Sequence, residues 1–273
     1  MEVFFVISVE NKQIGEIPLL HLARANLFDK KLPLVIFIHG FTSAKEYNLH
    51  YAYLLADKGF RVILPDCLYH GERQTEETSS QLQFHFWEIV LQTISELNEL
   101  KQHFEENQLI DSEKIGVVGT SMGGIVTLGA LTKYPWIHTA VSLMGMPYYE
   151  KLAKAQIAEL KHQGTQLPME QSAIEELFNR LRERDLSQQS EKLMGRPLLF
   201  WHGKRDNVVP YSYAYDYYES IKKHYLQTPQ LLQFVSDEKA DHKVSREGLL
   251  KTVEWFDKHL LSSSMMYVTS AEK

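Results

Sequence analysis

The sequence predicts a mostly parallel α/β sheet with helices on both faces. Short apolar runs rich in Val, Ile and Phe recur along the chain, and longer segments with a helical period separate them. Strands that are apolar along their whole length must be covered on both faces, which is typical of parallel sheets with helical crossovers. The chain has 273 residues, 44% hydrophobic and 23% charged, which suits a folded domain and excludes a low-complexity chain.

The predicted elements follow one another in a regular order. Residues 3–9 and 17–23 are close enough in sequence to pair as an antiparallel hairpin at the sheet edge. Six further apolar runs are predicted strands: residues 34–38, 61–64, 115–118, 140–143, 198–201 and 231–235. Helical periodicity lies between and after them, over residues 47–55, 82–104 and 249–260.

The composition changes between Met146 and Arg196, where glutamines and charges are frequent and no strand-like run occurs. Two amphipathic patterns lie there, over residues 149–160 and 174–181. We predict a helical cap insertion over residues 147–195, on a core formed by residues 1–146 and 196–262, with a flexible tail over residues 263–273. Ordinary crossover helices are the alternative, although the segment is long for one crossover.

Charge and composition narrow the class of partners. A formal net charge of −6 argues against nucleic acids and anionic membrane surfaces as binding partners. The longest apolar run, residues 32–38, is far shorter than the ~20 residues of a membrane-spanning helix. The single cysteine, Cys67, suits a reducing compartment, so we predict a cytoplasmic protein. The sequence is also compatible with a homodimer.

Some residues of the sequence could also suggest a metal site or a phosphate-binding loop. His39, His70 and His202 could be imagined as metal ligands, but no paired metal-binding spacing accompanies them. The glycines around residue 120 are not followed by the Lys and Ser or Thr of a phosphate-binding loop. We therefore predict no metal site and no phosphate loop.

The residues 119–123 read Gly-Thr-Ser-Met-Gly and have the G-x-S-x-G pattern of a nucleophile turn. A predicted strand leads directly into the pattern and an apolar helical segment leaves it. Such a sharp strand-to-helix turn would project the hydroxyl of Ser121 at the helix N-terminus, where the helix dipole favours developing negative charge. The alternative is a tight turn that contains an incidental serine.

A serine hydroxyl is a weak nucleophile and needs a base, which in turn needs an orienting acid. Of the histidines that follow Ser121, only His242 lies in a polar loop between the last predicted strand and the last helix. Asp206 follows the end of a buried strand and is the predicted acid, with Asp237 and Asp241 as alternatives. The order Ser, Asp, His predicts a triad of Ser121, Asp206 and His242.

An acyl-transfer site must also stabilise an oxyanion, typically with two backbone N–H groups. One donor is predicted to be the N–H of Met122, which follows the nucleophile, and the other the N–H of Phe41, in the loop after a strand. The side chain of His39 is expected to support that loop. We predict Phe41, Met146 and Tyr148 as substrate-binding residues, because Phe41 would line the acyl pocket and the other two open the predicted cap.

Together, residues 39–41, 119–123, 202–206 and 240–242 resemble the α/β-hydrolase superfamily. Within it the chain is similar to small bacterial esterases related to dienelactone hydrolase and to the catalytic domains of prolyl-oligopeptidase-type peptidases. Residues 65–73 also resemble that group's D-x-x-x-H-G-x-S loop, with Arg73 near the expected small residue. The resemblance implies an α/β-hydrolase fold with an eight-stranded sheet, Ser121 as nucleophile, Asp206 as acid and His242 as base. It implies no metal and no organic cofactor.

The predicted function is that of a serine carboxylesterase. It would cleave a small-molecule ester with a small or medium acyl group through an acyl-enzyme intermediate. One alternative is a peptidase or acyl-peptide hydrolase. Another is a hydrolase-fold protein that binds a ligand and turns it over slowly. The substrate itself depends on the shape of the pocket, which the motifs do not determine.

Overall fold

The computed structural model describes residues 5–76, 78–164 and 170–261. In these residues eight strands form one sheet in the order β1-β2-β4-β3-β5-β6-β7-β8. The β1 and β2 strands pair antiparallel, as do β2 and β4, and every other neighbouring pair is parallel. The strands are β1 (Ile7–Ile14), β2 (Ile17–Arg24), β3 (Leu32–Ile38), β4 (Arg61–Pro65), β5 (Ile110–Thr120), β6 (Thr139–Leu143), β7 (Leu198–Gly203) and β8 (Leu232–Asp237).

Helices cover both faces of the sheet, because alternate residues of the apolar strands point to opposite faces. Along β3, Leu34, Ile36 and Ile38 belong to one buried cluster, and Val35 and Phe37 belong to the other. The described helices are α1 (Leu49–Lys58), α2 (Ser79–Leu82), α3 (Phe86–Glu106), α4 (Met122–Lys133), α5 (Tyr149–His162), α6 (Gln171–Arg182), α7 (Tyr211–Ile221) and α8 (Arg246–Phe256). The predicted mostly parallel sheet is confirmed.

The first hairpin is the element that the sequence placed incorrectly. Its first strand was predicted over residues 3–9, whereas β1 runs from Ile7 to Ile14 and pairs in continuous register with β2. Gly15, with φ of 55°, begins the tight turn that joins the two strands. The polar residues Asn11 to Gln13 fit into β1 because it is an edge strand, so their polarity marked no loop.

The α5 and α6 helices lie between β6 and β7 in the chain, as the amphipathic patterns predicted. The hydroxyl of Tyr149, at the start of α5, is buried and donates to the carbonyl of Ile125 in α4 at 2.6 Å. Farther along α5, Gln156 accepts a hydrogen bond from the indole N–H of Trp87 in α3 at 2.8 Å. The α5 helix is therefore joined to both α3 and α4.

Two further sequence predictions concern the C-terminal tail and membrane-spanning helices. The tail over residues 263–273 lies outside the described residues. Among those that are described, no helix combines the length and the apolar character needed to cross a membrane.

Candidate active site

Ser121 lies at the junction of β5 and α4, in a backbone conformation that residues other than glycine rarely adopt. Its φ is 54° and its ψ is −114°, and its N–H donates to the carbonyl of Leu143 at 2.7 Å. The turn is tight enough that a β-carbon on Gly119 would collide with the backbone of Gly123. The two glycines of the motif are therefore required by close backbone approach.

His242 links Ser121 to Asp206. Its Nε2 lies 2.8 Å from Oγ of Ser121, and its Nδ1 lies 2.7 Å from Oδ2 of Asp206. Because a carboxylate only accepts hydrogen bonds, Nδ1 carries the hydrogen, and Nε2 of the neutral ring is free to accept the hydrogen of the Ser121 hydroxyl. The structure thus brings together three residues that are far apart in sequence. The side chain of His242 is 22% exposed, whereas that of Asp206 is fully buried.

The carboxylate of Asp206 is held by hydrogen bonds on both oxygens. Its Oδ1 accepts the backbone N–H groups of Val208 and Val209, each at 2.9 Å. Its Oδ2 accepts from His242 and also lies 3.1 Å from Nε2 of His202. Burial works to raise the pKa of Asp206, but these hydrogen bonds outweigh it and hold the pKa well below its usual range. Asp206 is therefore ionised at neutral pH.

His202 is a contributor to this site that the sequence did not reveal. It is buried at the end of β7, and its Nε2 faces two acceptors, Oδ2 of Asp206 and the carbonyl of Val209 at 2.8 Å. Nε2 must therefore carry a hydrogen, so His202 donates toward the acid while it holds the loop after β7 closed. Its position four residues before the acid is the available signal, but from the sequence His202 is only an unlikely metal ligand and the first residue of the motif over residues 202–206.

The alternative acids have other positions. Oδ1 of Asp237 accepts the backbone N–H groups of Lys239 and Ala240, at 3.0 and 3.1 Å, and so stabilises the turn that leads to His242. Asp241 is exposed to solvent. The partner of His242 at Nδ1 is Asp206.

The loop after β3 lies against the nucleophile. A β-carbon added to Gly40 would lie only 3.6 Å from Cβ of Ser121, so the backbone of this loop passes beside the serine. Phe41 follows Gly40, and its ring makes edge contacts with the rings of His70 and Phe86, at 5.5 and 5.6 Å between centroids. Met122, the second predicted oxyanion donor, is the first residue of α4 and is fully buried.

The loop after β4 holds the loop after β3 in place through hydrogen bonds to two histidines. Nε2 of His39 accepts the N–H of Cys67 at 3.0 Å, and Nε2 of His70 accepts the N–H of Thr42 at 2.9 Å. Burial lowers the pKa of His39 to about 4 and also lowers the pKa of His70. Both rings are therefore neutral at pH 7, as an acceptor nitrogen requires. The prediction that His39 supports this loop agrees with these contacts.

A buried ion pair joins the same two loops. Nζ of Lys45 lies 2.7 Å from Oδ2 of Asp66, and both side chains are at most 1% exposed. Oδ1 of Asp66 accepts the backbone N–H of Lys45 at 3.0 Å. Burial works to lower the pKa of Lys45, but its hydrogen bonds to Asp66, Glu72 and Glu46 outweigh burial and raise it above the usual value.

Arg73 occupies the position where the resemblance leads one to expect a small residue. Its guanidinium makes two hydrogen bonds to the carboxylate of Glu96 in α3, at 2.8 and 3.0 Å. Both side chains are nearly buried, at 10% and 7% exposure. The larger residue therefore ties the end of this loop to α3.

The three predicted substrate-binding residues lie in different environments. Phe41 is half-buried beside the serine, whereas Met146 is fully buried in the core. Tyr148 is half-buried and packs edge-on against Tyr213 and Tyr217, at about 6 Å between centroids. It lines a polar pocket of about 320 Å³ together with residues of α5 and of the segment after α6. A larger cavity, of about 390 Å³, lies between α3, α5, α6 and the loop after β7.

Comparison with known proteins places this site in a family. Residues 46–263 match the model of the prolyl oligopeptidase family. The chain belongs to that family. It is 53% identical over 255 residues to a protein of Bacillus subtilis (strain 168) named "Putative esterase YitV", a match that covers 93% of this chain and all of that protein. It is 32% identical over 256 residues to the esterase YjfP of Escherichia coli (strain K12), with the same coverage.

A solved structure shows the same fold at low sequence identity. TT1662 from Thermus thermophilus superimposes with a TM-score of 0.73 at 19% identity, over 93% of this chain and 98% of that one. The predicted α/β-hydrolase fold and the predicted family resemblance are confirmed. The chain is thus a serine hydrolase of the α/β-hydrolase superfamily.

Proposed function

We propose that this protein is a carboxylesterase in which Ser121, His242 and Asp206 form the catalytic triad. The observation that carries the proposal is the continuous hydrogen-bonded line from Oγ of Ser121 through His242 to Asp206. Ser121 is also held in a strained conformation at a helix N-terminus, beside the loop after β3. These are the features that an acyl-transfer nucleophile needs.

The proposed reaction has two half-reactions. Oγ of Ser121 attacks the ester carbonyl carbon while Nε2 of His242 takes the hydroxyl proton, and Asp206 stabilises the imidazolium that results. The tetrahedral oxyanion accepts hydrogen bonds from the N–H groups of Phe41 and Met122. On collapse, the C–O bond to the alcohol breaks, the alcohol takes the proton from His242, and the acyl group stays on Ser121. Water, deprotonated by His242, then attacks the acyl carbonyl carbon; the bond to Oγ of Ser121 breaks, Oγ takes the proton from His242, and the carboxylic acid is released.

The relatives support ester cleavage within the family. Two proteins that match this chain along their whole length are named as esterases, one at 53% and one at 32% identity. The family name favours a second candidate, a peptidase or acyl-peptide hydrolase. A protein that binds a ligand and turns it over slowly is a third candidate, against which the continuous Ser–His–Asp contacts argue.

Parallel kinetics on esters and amides would separate these functions. We expect p-nitrophenyl esters of short and medium acyl chains to be cleaved with a kcat/KM far above that of aminoacyl p-nitroanilides. Ser121→Ala should abolish the ester activity. Faster cleavage of the anilides would favour the peptidase. Slow turnover of every substrate, little changed in Ser121→Ala, would favour the binding protein.

The proposal also includes the arrangement and the location of the protein. We retain residues 147–195 as a cap over the site, together with a cytoplasmic location and function without a metal or an organic cofactor. All four ring nitrogens of His39 and His70 make hydrogen bonds to backbone groups, and these contacts argue against the two histidines as metal ligands. Whether the protein forms a homodimer stays a separate prediction.

A further inference from the structure

A cavity of about 390 Å³ lies between α3, α5, α6 and the loop after β7. This volume falls in the range of roughly 300–1,000 Å³ that is typical of small-molecule sites. Its walls are largely aliphatic and aromatic, and six of the apolar side chains that line it are Trp87, Leu152, Ile157, Leu160, Ile174 and Leu177. The α5 and α6 helices provide five of these six, so the amphipathic faces of the two helices form most of the apolar wall.

The cavity borders the loop of the acid and is connected to the loop beside the nucleophile by a row of packed aromatic rings. On one side, Trp87 packs against Phe86 at 5.2 Å, and Phe86 packs against Phe41 at 5.6 Å, in the loop that passes beside the nucleophile. On the other side, Val208 lines the cavity, and its backbone N–H binds the carboxylate of Asp206. A group that enters the cavity is therefore bordered by Val208 in the loop of the acid, and the rings of Trp87 and Phe86 lie between it and Phe41 in the loop beside Ser121.

The chemistry of the lining limits what can bind there. Four polar residues, three glutamines and Glu159, accompany the apolar ones. One of the glutamines, Gln156, already accepts the indole N–H of Trp87. Among the lining residues that the structure describes, Glu159 is the one with a charged side chain, and it disfavours an anionic group. The cavity thus fits an uncharged apolar chain.

We infer that this cavity binds the acyl chain of the substrate and gives the protein a preference for medium-chain over acetyl esters. The inference rests on the proposed function. The acyl group stays on Ser121 until water releases it in the second half-reaction, whereas the alcohol departs in the first, so we assign the apolar site to the acyl group. Each methylene that moves from water into such a cavity strengthens binding about fourfold.

Filling the cavity provides the first test. Leu177→Trp adds bulk to the cavity wall, and Glu176→Trp adds the same side chain at the neighbouring exposed position of α6. The measured quantity is the ratio of kcat/KM for p-nitrophenyl octanoate to that for p-nitrophenyl acetate. We expect Leu177→Trp to lower this ratio at least tenfold and Glu176→Trp to change it less than about twofold. An equal ratio in both variants would overturn the inference.

Labelling of the unaltered protein gives a measurement that does not depend on how a variant folds. Alkyl fluorophosphonates of increasing chain length should label Ser121 faster as the chain grows from methyl to octyl. A rate independent of chain length would contradict the inference even while labelling supports Ser121 as nucleophile. Absence of any labelling would instead count against the proposed function, so the two failures are distinguishable.

The alcohol side of the ester is tested separately. If Leu177→Trp slows cleavage of octyl acetate relative to ethyl acetate but leaves the octanoate-to-acetate ratio unchanged, the cavity binds the alcohol and the inference is wrong. If it changes only the octanoate-to-acetate ratio, the acyl assignment holds.

Discussion

The end of the sheet that carries Ser121 and the pair of helices α5 and α6 are built in different ways. Ten of the twelve residues of α4, which follows the nucleophile, are buried, but only two in α5 and two in α6. Both oxygens of the buried Asp206 carboxylate accept hydrogen bonds, whereas α6 is joined to α5 by a pair in which the side chain of Arg182 is 45% exposed and that of Glu150 is 15% exposed. The difference indicates that the proposed chemistry depends on the buried core, while the proposed acyl cavity depends on helices that are held by narrow apolar faces.

The largest expected effect lies in the buried core. Asp206→Asn should lower kcat by about 10⁴-fold, because an amide cannot hold His242 in the tautomer that accepts the serine proton. Steady-state kinetics on p-nitrophenyl butyrate measure the loss, and Asp241→Asn, at an exposed neighbouring position, is the matched control. A large loss of kcat in Asp241→Asn with little loss in Asp206→Asn would show that Asp241, and not Asp206, is the acid.

The buried ion pair gives the next largest effect, on stability. Asp66→Ala leaves Nζ of Lys45 buried without its main partner, and it should lower the free energy of unfolding by roughly 3 kcal/mol or more. Urea unfolding measures this change. The corresponding truncation of a more exposed pair in the helices, Arg182→Ala, should shift the midpoint less, because water can still reach the carboxylate of Glu150. Equal shifts in the two variants would remove the proposed difference between the regions.

The buried histidines of the loops make stability depend on pH. Burial lowers the pKa of His39 to about 4, while the unfolded chain binds the proton near pH 6.5. Since the unfolded state binds more protons in this window, the contribution of His39 is present above about pH 6.5 and is lost as the pH falls toward 4, by up to about 3 kcal/mol.

Urea unfolding at about pH 7.5 and about pH 4.5 measures this dependence. In His39→Gln, the amide oxygen can still accept the N–H of Cys67, but the side chain does not titrate. The loss of stability between the two pH values should therefore be smaller than in the unaltered protein. An undiminished loss would show that His39 is not a source of the acid sensitivity.

The smallest effect concerns motion in the helices. Amide hydrogens of α5 and α6 should exchange faster than those of β3 and β5, because few residues of these helices are buried. A covalent octyl phosphonate on Ser121 should slow exchange in the two helices. Exchange mass spectrometry measures both, and exchange as slow as in the strands and unchanged by the adduct would favour ordinary crossover helices over a cap.

The sequence predicted the parts of this molecule that follow from strand ends and chain order. In a parallel sheet, Ser121, Asp206 and the loop of His242 follow the carboxyl ends of strands at one edge, so their proximity could be predicted without distances. The contacts that brace them could not be predicted in this way. Lys45 lies in a polar stretch of sequence and His202 directly follows an apolar run, and only the tertiary structure shows that both side chains contact buried carboxylates.

The first strand illustrates a different limit. The apolar N-terminal residues were preferred as a strand over the polar residues that follow them, although an edge strand tolerates polar side chains. The position of the turn at Gly15, rather than apolar character, determines the register of that hairpin.

Mapping the covalent adduct of a fluorophosphonate tests the central claim most directly. The protein would be treated with the reagent at neutral pH, digested and analysed by mass spectrometry, with Ser121→Ala treated in parallel. We predict one equivalent of adduct per chain, located on Ser121, with loss of esterase activity in proportion to labelling and no adduct in Ser121→Ala. An adduct on another residue, or full loss of activity while Ser121 stays unmodified, would contradict the assignment of the nucleophile.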